Sequence, residues 1–403
     1  MKNIAILCNS YPCPGGKAES TFMGYLSKYF LEKKYSIDFY HLDHSGDLNK
    51  KLIKKKYNFL NNKNFKLSKI KIGKKKGIFD NKFIRFFLLF PTIDNSFKFD
   101  LKKINLNKKK YDLVITMDHS AYHLSKKLNF KKRLFITGDP PGERSYVFNK
   151  INFRKPYLKS LFILVYFFIC FKLENYYWKW IIDLTNTKVA VSGTSTSARL
   201  KKNLNLESIL DLRPPMPIFK SKKNFISKNH TNIVLAGSLG GSFGKSTVFN
   251  FISLVKLIKN HDFKFYLIGH DIDRSLEGLN NLIKSKKIKI LESVKNFEST
   301  LSRMNIFVLP SDYYIGVRTR ICSALSAGNF CIISKAILIN MPELKDCKSV
   351  QIINNDKYEI ITSIEKYHNF SLKKKKKLIK ESKNFFKENY FYPVTSKKIL
   401  SFL

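Results

Sequence analysis

Two arginines, Arg318 and Arg320, follow a short apolar run, Ile306–Leu309, across a loop that contains Gly316. A guanidinium group can bind two phosphate oxygens at once, and glycine lets backbone N–H groups approach a phosphate closely. The apolar run predicts a strand buried on both faces of a parallel sheet. In such sheets, ligands bind beyond the carboxyl ends of the strands, where the N-terminus of the next helix also attracts anions. The spacing therefore predicts a phosphate-binding loop at this sheet edge.

A second glycine-rich loop, GSLGGSFGKST, follows another apolar run, Asn232–Ala236. Glycines leave backbone N–H groups open to a phosphate, and a lysine at the start of the next helix adds positive charge. The spacing of the glycines departs from the P-loop pattern by one residue, so we do not predict a P-loop ATPase. The candidate anion-binding residues of this loop are Gly237, Ser238, Gly240, Gly241 and Lys245.

Three loops in the N-terminal half begin where a predicted strand ends. Because the carboxyl ends of parallel strands share one sheet edge, we expect these loops to lie on the ligand side of the first sheet. Each polar residue in them also has an ordinary alternative role as a helix cap or turn residue. The candidates are Gly15 and Gly16 after the first strand, Asp118 and His119 after a later one, and Asp139 and Glu143 after the next.

The chain has 403 residues, enough for two domains that each bury a core. Its 74 Lys and Arg residues against 30 Asp and Glu give a formal net charge of +44, which attracts polyanions and leaves a nucleic-acid-binding protein as one alternative. The basic residues are scattered along the whole chain, as on solvated faces, and neither a zinc-finger spacing nor an RNA-binding aromatic motif accompanies them. We therefore expect no nucleic acid partner.

The six cysteines are scattered without a C-x-x-C pair, and several lie in apolar runs. Such cysteines behave as small apolar residues and favour a reducing, cytoplasmic location. No Asp-x-Asp pair follows a predicted strand, and no His or Cys cluster has metal-ligand spacing, so we predict no metal site.

Two apolar segments, Phe83–Phe90 and Leu161–Phe171, lie beside lysine clusters. The second is the longest apolar run and, at 11 residues, is shorter than the roughly 20 residues that span a bilayer, so we predict no transmembrane segment. Apolar residues beside lysines favour peripheral contact with an anionic membrane surface, on its inner face. The alternative, that both segments are buried core helices, stays open.

The stretch Ile306–Ser334 resembles the signature of retaining glycosyltransferases of the GT-B fold, as in the family 4 group. In that signature, a strand ending in Pro-Ser precedes a glutamate, a glycine-containing loop and a helix with the pattern Glu-Ala-x-Ala-x-Gly. The helix here has the sequence SALSAG at 323–328, and both glutamate positions differ, being Tyr314 and Ser323. The likeness extends over residues 232–345, and over the N-terminal half it is one of element order only.

The resemblance implies two Rossmann-like α/β domains that face each other across a cleft. The expected parts are an N-terminal acceptor domain (1–211), a linker (212–230), a C-terminal donor domain (231–370) and a helical tail (371–403) that packs back on the first domain. It also assigns roles: His119 and Asp139 become the catalytic candidates, and Gly15 and Gly16 an acceptor-side loop. The donor-binding candidates are Gly237, Ser238, Gly240, Gly241, Lys245, Tyr314, Gly316, Val317, Arg318, Arg320 and Ser323.

The implied activity is retaining, metal-independent transfer of a sugar from a nucleotide-sugar donor to a cell-surface glycan or lipid-linked acceptor. The nucleotide sugar is then a substrate, and we expect no cofactor. One alternative is a GT-B protein that binds a nucleotide sugar without turnover, because both signature glutamates are replaced. The other is the basic nucleic-acid-binding protein.

Overall fold

The computed structural model describes residues 2–13, 18–43, 57–73, 96, 99–102, 104–106, 109–152, 158–183, 185–219, 226–227, 229–292, 294, 297–354 and 356–403. The chain divides into two compact units, the first made of Met1–Pro215 and Tyr392–Leu403, the second of Met216–Phe391. The predicted acceptor-loop residues Gly15 and Gly16 and the apolar segment 83–90 lie outside the described residues.

Within the described part of the first unit, seven strands form one parallel sheet in the order β3-β2-β1-β4-β5-β6-β7. Successive residues of the first strand, such as Ala5 and Ile6, belong to different core clusters. Both faces of the sheet are therefore covered, as expected for parallel strands. The strands are β1 (Asn3–Cys8), β2 (Ser36–Asp43), β3 (Phe65–Lys71), β4 (Lys110–Met117), β5 (Asn129–Thr137), β6 (Thr187–Val191) and β7 (Leu210–Asp211).

The helices described in the first unit follow the strands as crossover connections. They are α1 (Ala18–Glu32), α2 (His119–Ser125), α3 (Pro141–Asn152), α4 (Leu158–Ile181) and α5 (Thr194–Leu204). The second apolar segment of the sequence analysis, Leu161–Phe171, lies within α4. The C-terminal half of α4 packs on the sheet, where the ring of Trp178 lies 5.6 Å from that of Phe135.

Helix α4 is long and apolar enough to cross a membrane by length and composition, with Ser160–Ile181 as the candidate span. The prediction of no transmembrane segment rests on the uninterrupted apolar run Leu161–Phe171, which ends at Lys172. The helix continues through this lysine to Ile181, so its length exceeds that of the apolar run.

The second unit contains, among its described residues, a parallel sheet in the order β10-β9-β8-β11-β12-β13. Its strands are β8 (Thr231–Ser238), β9 (Phe263–His270), β10 (Ile288–Leu291), β11 (Ile306–Leu309), β12 (Phe330–Ser334) and β13 (Val350–Ile353). The helices are α6 (Gly241–Leu257), α7 (Leu279–Lys284), α8 (Phe297–Leu301), α9 (Thr319–Ala327), α10 (Lys357–His368) and α11 (Leu372–Asn389). The last helix of the chain, α12 (Tyr392–Phe402), belongs to the first unit.

The unit boundaries differ from the predicted ones. Leu212, at the start of the predicted linker, donates its N–H to Val191 O at 2.8 Å and so extends the first unit. Met216 already belongs to the second unit, because its N–H bonds to Tyr390 O at 3.0 Å. The first part of the predicted linker is therefore divided between the two units, to each of which it is joined by backbone hydrogen bonds. The Pro- and Lys-rich composition of 212–230 does not show this.

The predicted tail, 371–403, is divided between the units. Helix α11 stays with the second unit, where the Ser382 hydroxyl donates to Leu325 O on α9 at 3.0 Å. Helix α12 joins the first unit, where the Tyr392 ring stacks on Tyr25 at 5.4 Å and its hydroxyl donates to Glu32 at 2.9 Å. Only the last turns of the chain therefore pack on the first unit.

Candidate functional site

The strand order of the second unit fixes where a ligand can bind. Strand β8 is flanked by β9 on one side and by β11 on the other, so the winding of the sheet reverses between β8 and β11. Helices that leave neighbouring strands in opposite directions open a crevice at that point, beyond the carboxyl ends of the strands. The glycine-rich loop follows β8, and the arginine loop follows β11, so both predicted anion loops meet at this crevice.

Arg320, on the first turn of α9, reaches the end of β8. A Cβ atom added to Gly237 would lie 3.3 Å from Arg320 Nε, so the guanidinium lies against the backbone of the glycine-rich loop. Its Nη1 atom is buried and has no hydrogen-bond partner among the described residues. Burial, and then the neighbouring charge of Arg318, lower the pKa of Arg320 to about 10, so the group stays cationic at neutral pH. A buried cation without a carboxylate partner is costly, and an anionic ligand would relieve that cost.

The loop before α9 is held in shape by its own hydrogen bonds. Arg318 Nη2 donates to Tyr313 O at 3.1 Å, and the Arg318 N–H contacts Met341 Sδ at 3.3 Å. Gly316 has φ +66°, a left-handed conformation that residues with side chains rarely adopt. Asn340 Nδ2 donates to Tyr314 O, which ties the loop to a buried side chain. The two arginines therefore project from a loop that is already organised before a ligand binds.

The other predicted donor-binding residues near this loop differ in how far they are buried. Val317 packs against the core of the second unit, so its contribution is to anchor the loop. Ser323 is buried on α9, three residues after Arg320 and so on the same face of the helix. The Tyr314 side chain is partly exposed.

The glycine-rich loop leads into α6, a helix of 17 residues whose N-cap, Gly240, makes no side-chain cap. The N-terminal N–H groups of such a helix attract an anion. The backbone of the glycine-rich loop lies close to β9 and to the first turn of α6. A Cβ added to Gly269 of β9 would be 2.0 Å from Gly237 O, and one added to Gly244 of α6 would be 2.3 Å from Leu239 C. Gly241 is the first residue of α6, and Ser238, the last residue of β8, is exposed. The structure thus brings one of the predicted loop glycines, Gly237, together with Arg320.

Lys245 lies on α6, half exposed, and forms an ion pair with Asp273, with Nζ 2.7 Å from Oδ2. The hydrogen bond from Lys245, followed by those from Ser275, lowers the pKa of Asp273 to about 2. Residue spacing could not predict this pair, because Asp273 lies in the loop after β9, far along the chain. A phosphate ligand at this loop would therefore compete with Asp273 for the lysine.

If Lys245 contacts the ligand, Asp273→Asn should strengthen binding of a nucleoside diphosphate a few-fold, because the lysine loses its competing carboxylate. Calorimetric titration with UDP and GDP measures the effect, and Lys245→Ala should move affinity the other way. Glu292→Gln removes the carboxylate of the exposed Arg274–Glu292 pair and serves as the matched control. Unchanged affinity in Asp273→Asn would remove Lys245 from the site.

The first sheet reverses its winding in the same way, between β1 and β4. Asp118, directly after β4, has φ 72°, caps α2 by accepting from Ala121 N at 3.2 Å, and accepts a hydrogen bond from Asn9, directly after β1. His41 Nε2 lies 3.2 Å from Asn9 O. A strained backbone at a sheet crevice is typical of a functional position. Among the described candidates of this half, Asp118 is the one at the crevice, and it is not among the predicted catalytic residues.

His119 has a different environment from the predicted one. Its side chain is buried, and its ring lies 5.4 Å from those of Phe135 and Trp178 and 6.2 Å from that of Tyr177. The first turn of α2 directs it into the aromatic core, away from the sheet edge that Asp118 occupies. The catalytic role of His119 stays a prediction, and this position supports a packing role instead.

Asp139 lies partly exposed in the loop between β5 and α3, at the carboxyl edge of the first sheet. The helix that follows is held by Glu174 of α4, which accepts from Gly142 N at 2.8 Å and from Glu143 N at 3.1 Å. Glu143, another candidate, pairs with Arg199 at 2.9 Å and is buried, so its role is structural. The Asp139 loop therefore depends on a carboxylate that lies in the core.

The comparisons with known proteins are consistent with these two crevices. Residues 230–367 match the family described as "Glycosyl transferases group 1". The match covers most of the second unit and none of the first. No curated protein matches the chain significantly.

Solved structures match both units. The crystal structure of a glycosyltransferase from Rickettsia africae ESF-5 has a TM-score of 0.64 at 14% identity, covering 100% of this chain and 97% of that one. WaaG, a glycosyltransferase involved in lipopolysaccharide biosynthesis, has a TM-score of 0.61 at 13% identity and 99% coverage of both chains. S. aureus TarM in complex with fondaparinux, alpha-GlcNAc-glycerol and UDP has a TM-score of 0.64 at 11% identity, covering 100% and 99%. The chain therefore has the GT-B fold of these glycosyltransferases, and the predicted fold class is confirmed.

Proposed function

We propose that the protein is a glycosyltransferase that moves a sugar from a nucleotide-sugar donor to a cell-surface glycan or lipid-linked acceptor, with retention of configuration. The observation that carries the proposal is the buried, unpartnered Nη1 of Arg320 beside Gly237, at the crevice of the second sheet. A diphosphate supplies the negative charge and the hydrogen-bond acceptors that this guanidinium lacks.

The reaction leaves negative charge on the departing nucleoside diphosphate. Arg318 and Arg320, together with the N-terminus of α6, would stabilise that charge without a metal ion. Because the arginine loop is tied by hydrogen bonds to its own unit, the cations need little rearrangement as the charge develops. This arrangement supports the proposal that transfer is metal-independent.

The acceptor is assigned to the first unit, in which Asp139 is the better placed of the two predicted catalytic residues. Asp139 lies at the carboxyl edge of the sheet, whereas His119 lies in the aromatic core. The ligands of TarM, a nucleotide and two glycans or glycosides, support the same substrate classes for this chain.

A second candidate function is nucleotide-sugar binding without turnover. Tyr314 and Ser323 occupy the positions where the resembling family has glutamates, and neither carries charge at neutral pH. The loss of one charged group that stabilises a transition state costs about 10²–10³ in rate. We therefore expect slow transfer, unless a carboxylate such as the exposed Asp312 reaches the sugar.

A panel of nucleotide sugars, tested for binding by calorimetry and for hydrolysis or transfer by product analysis, separates the candidates. Transfer with retained anomeric configuration and full activity in EDTA supports the proposal. Binding without turnover establishes the second candidate. No binding of any nucleotide sugar removes both, and activity that EDTA abolishes and magnesium restores removes metal independence.

A further inference from the structure

The outer face of α4 is the most exposed apolar surface in the described part of the chain. Along this helix of 24 residues, large apolar side chains are exposed to solvent, and the last two are 70% and 75% exposed. We call this surface the outer face of α4. It consists of Leu161, Phe162, Val165, Phe168, Ile169, Leu173, Tyr176 and Trp180.

These residues form one continuous stripe, because they recur every three or four positions along the helix. At about 1.5 Å per residue the stripe is roughly 30 Å long. The aliphatic residues and phenylalanines occupy its first part, whereas Tyr176 and Trp180, which have a polar tip, occupy its C-terminal end. Tyrosine and tryptophan in such a position are typical of the boundary between lipid and water.

The opposite face of α4 is fixed to the first unit. Tyr177 and Trp178 belong to a core cluster with residues of β5 and β6. Glu174 is fully buried and binds two backbone N–H groups at the start of α3. A helix that crossed a bilayer would have to give up these contacts, so the geometry favours a helix that lies along a surface.

The exposed charged side chains described on α4 itself are all basic. Glu174 is the one acidic residue of α4, and it is buried, whereas Lys172 and Lys179 are exposed. Lys172 Nζ lies 5.3 Å from the Phe168 ring centroid, so its stem covers the stripe. On α3, Lys150 lies 6.0 Å from the ring of Tyr146, which stacks on Phe171 of α4. A cationic rim beside an apolar stripe is complementary to an anionic lipid surface.

We propose that the outer face of α4 inserts into the boundary layer of an anionic bilayer, with Lys172 and Lys179 at the level of the headgroups. The protein would then bind a membrane peripherally through its first unit. This inference does not depend on the donor site, which lies in the second unit.

Flotation of the full chain with phosphatidylcholine vesicles, with and without phosphatidylglycerol, tests the proposal. The wild type should float with the anionic vesicles at low salt. The pair Phe162→Gln with Ile169→Gln should lower the partition coefficient about a hundredfold, because each side chain loses the free energy of leaving water. Phe249→Gln with Leu257→Gln, on exposed apolar residues of α6, is the matched control and should float like the wild type.

Charge is tested separately with Lys172→Gln and Lys179→Gln, each of which should weaken binding to anionic vesicles about fivefold. Lys376→Gln and Lys377→Gln, on exposed positions of α11, each remove the same charge and should have little effect. Circular dichroism confirms that the variants fold.

Four results would overturn the proposal. In the first, the wild type fails to float with anionic vesicles, and in the second, the control variants lose as much binding as the α4 variants. In the third, the membrane-bound protein resists extraction by alkaline carbonate, as a protein with a spanning helix does. In the fourth, the wild type is a dimer and the Phe162→Gln, Ile169→Gln pair converts it to a monomer. The last would assign the face to a second copy of the chain.

Discussion

Arg320→Met should weaken nucleoside diphosphate binding by about 1.5–3 kcal/mol while leaving the ligand-free protein as stable as the wild type or more so. The two effects have one cause. The guanidinium is partly buried beside Arg318 with an unpartnered Nη1, so in the absence of ligand it is a cation without compensation. Methionine fills a similar volume without charge. Calorimetry with UDP and GDP gives the affinity, and urea unfolding gives the stability.

Arg303→Met is the matched control, because Arg303 is an exposed arginine of the same unit. It should change neither quantity. Lower stability with unchanged affinity in Arg320→Met would identify Arg320 as a structural residue, and the proposed donor site would lose its central group.

Glu174 should make the first unit less stable as pH rises. Burial raises the pKa of its carboxyl from 4.5 to about 7. The hydrogen bonds that it accepts from two backbone N–H groups and the nearby charge of Arg199 lower the pKa, but by less. The folded protein therefore holds this proton more tightly than the unfolded chain. The associated stability is present below about pH 4.5 and is lost as pH rises to about 7.

The neutral variant Glu174→Gln removes this titration. Across that pH range, the free energy of unfolding of the wild type should fall relative to the variant by on the order of 3 kcal/mol. Both tryptophans of the chain, Trp178 and Trp180, lie on α4, so their fluorescence reports unfolding of the first unit. Glu207→Gln, at an exposed position of the same unit, is the control. Identical pH profiles for wild type and Glu174→Gln would contradict the prediction.

Apolar runs were sufficient to predict the elements that build the proposed donor crevice. The apolar run Ile306–Leu309 has the same bounds as β11, and the run Asn232–Ala236 lies within β8. Buried parallel strands leave this signal because both faces are covered, so nearly every residue is apolar. The predicted strands in turn locate the loops that come after them, and these loops lead to Arg318 and Arg320.

Contacts that depend on how loops fold could not be predicted in this way. Asp273 lies in the loop after β9 and Lys245 lies on α6, and nothing in their spacing shows that they pair. His119 and Asp118 are neighbours in sequence, yet the first turn of α2 sends one into the aromatic core and leaves the other at the sheet edge. The single acidic residue of α4 gives no sign in the sequence that it caps another helix.

The contacts of Gly244 and Gly269 affect how a mutational scan of this protein should be interpreted. Every other amino acid carries a Cβ, and at these positions that atom would meet backbone within 2.3 Å and 2.0 Å. All substitutions there are expected to abolish function, whatever their chemistry, although neither residue has a side chain with which to contact a substrate. At these two glycines, intolerance of every replacement therefore indicates that two backbone segments lie in close contact. A residue that contacts a ligand should instead tolerate replacements of similar charge or size.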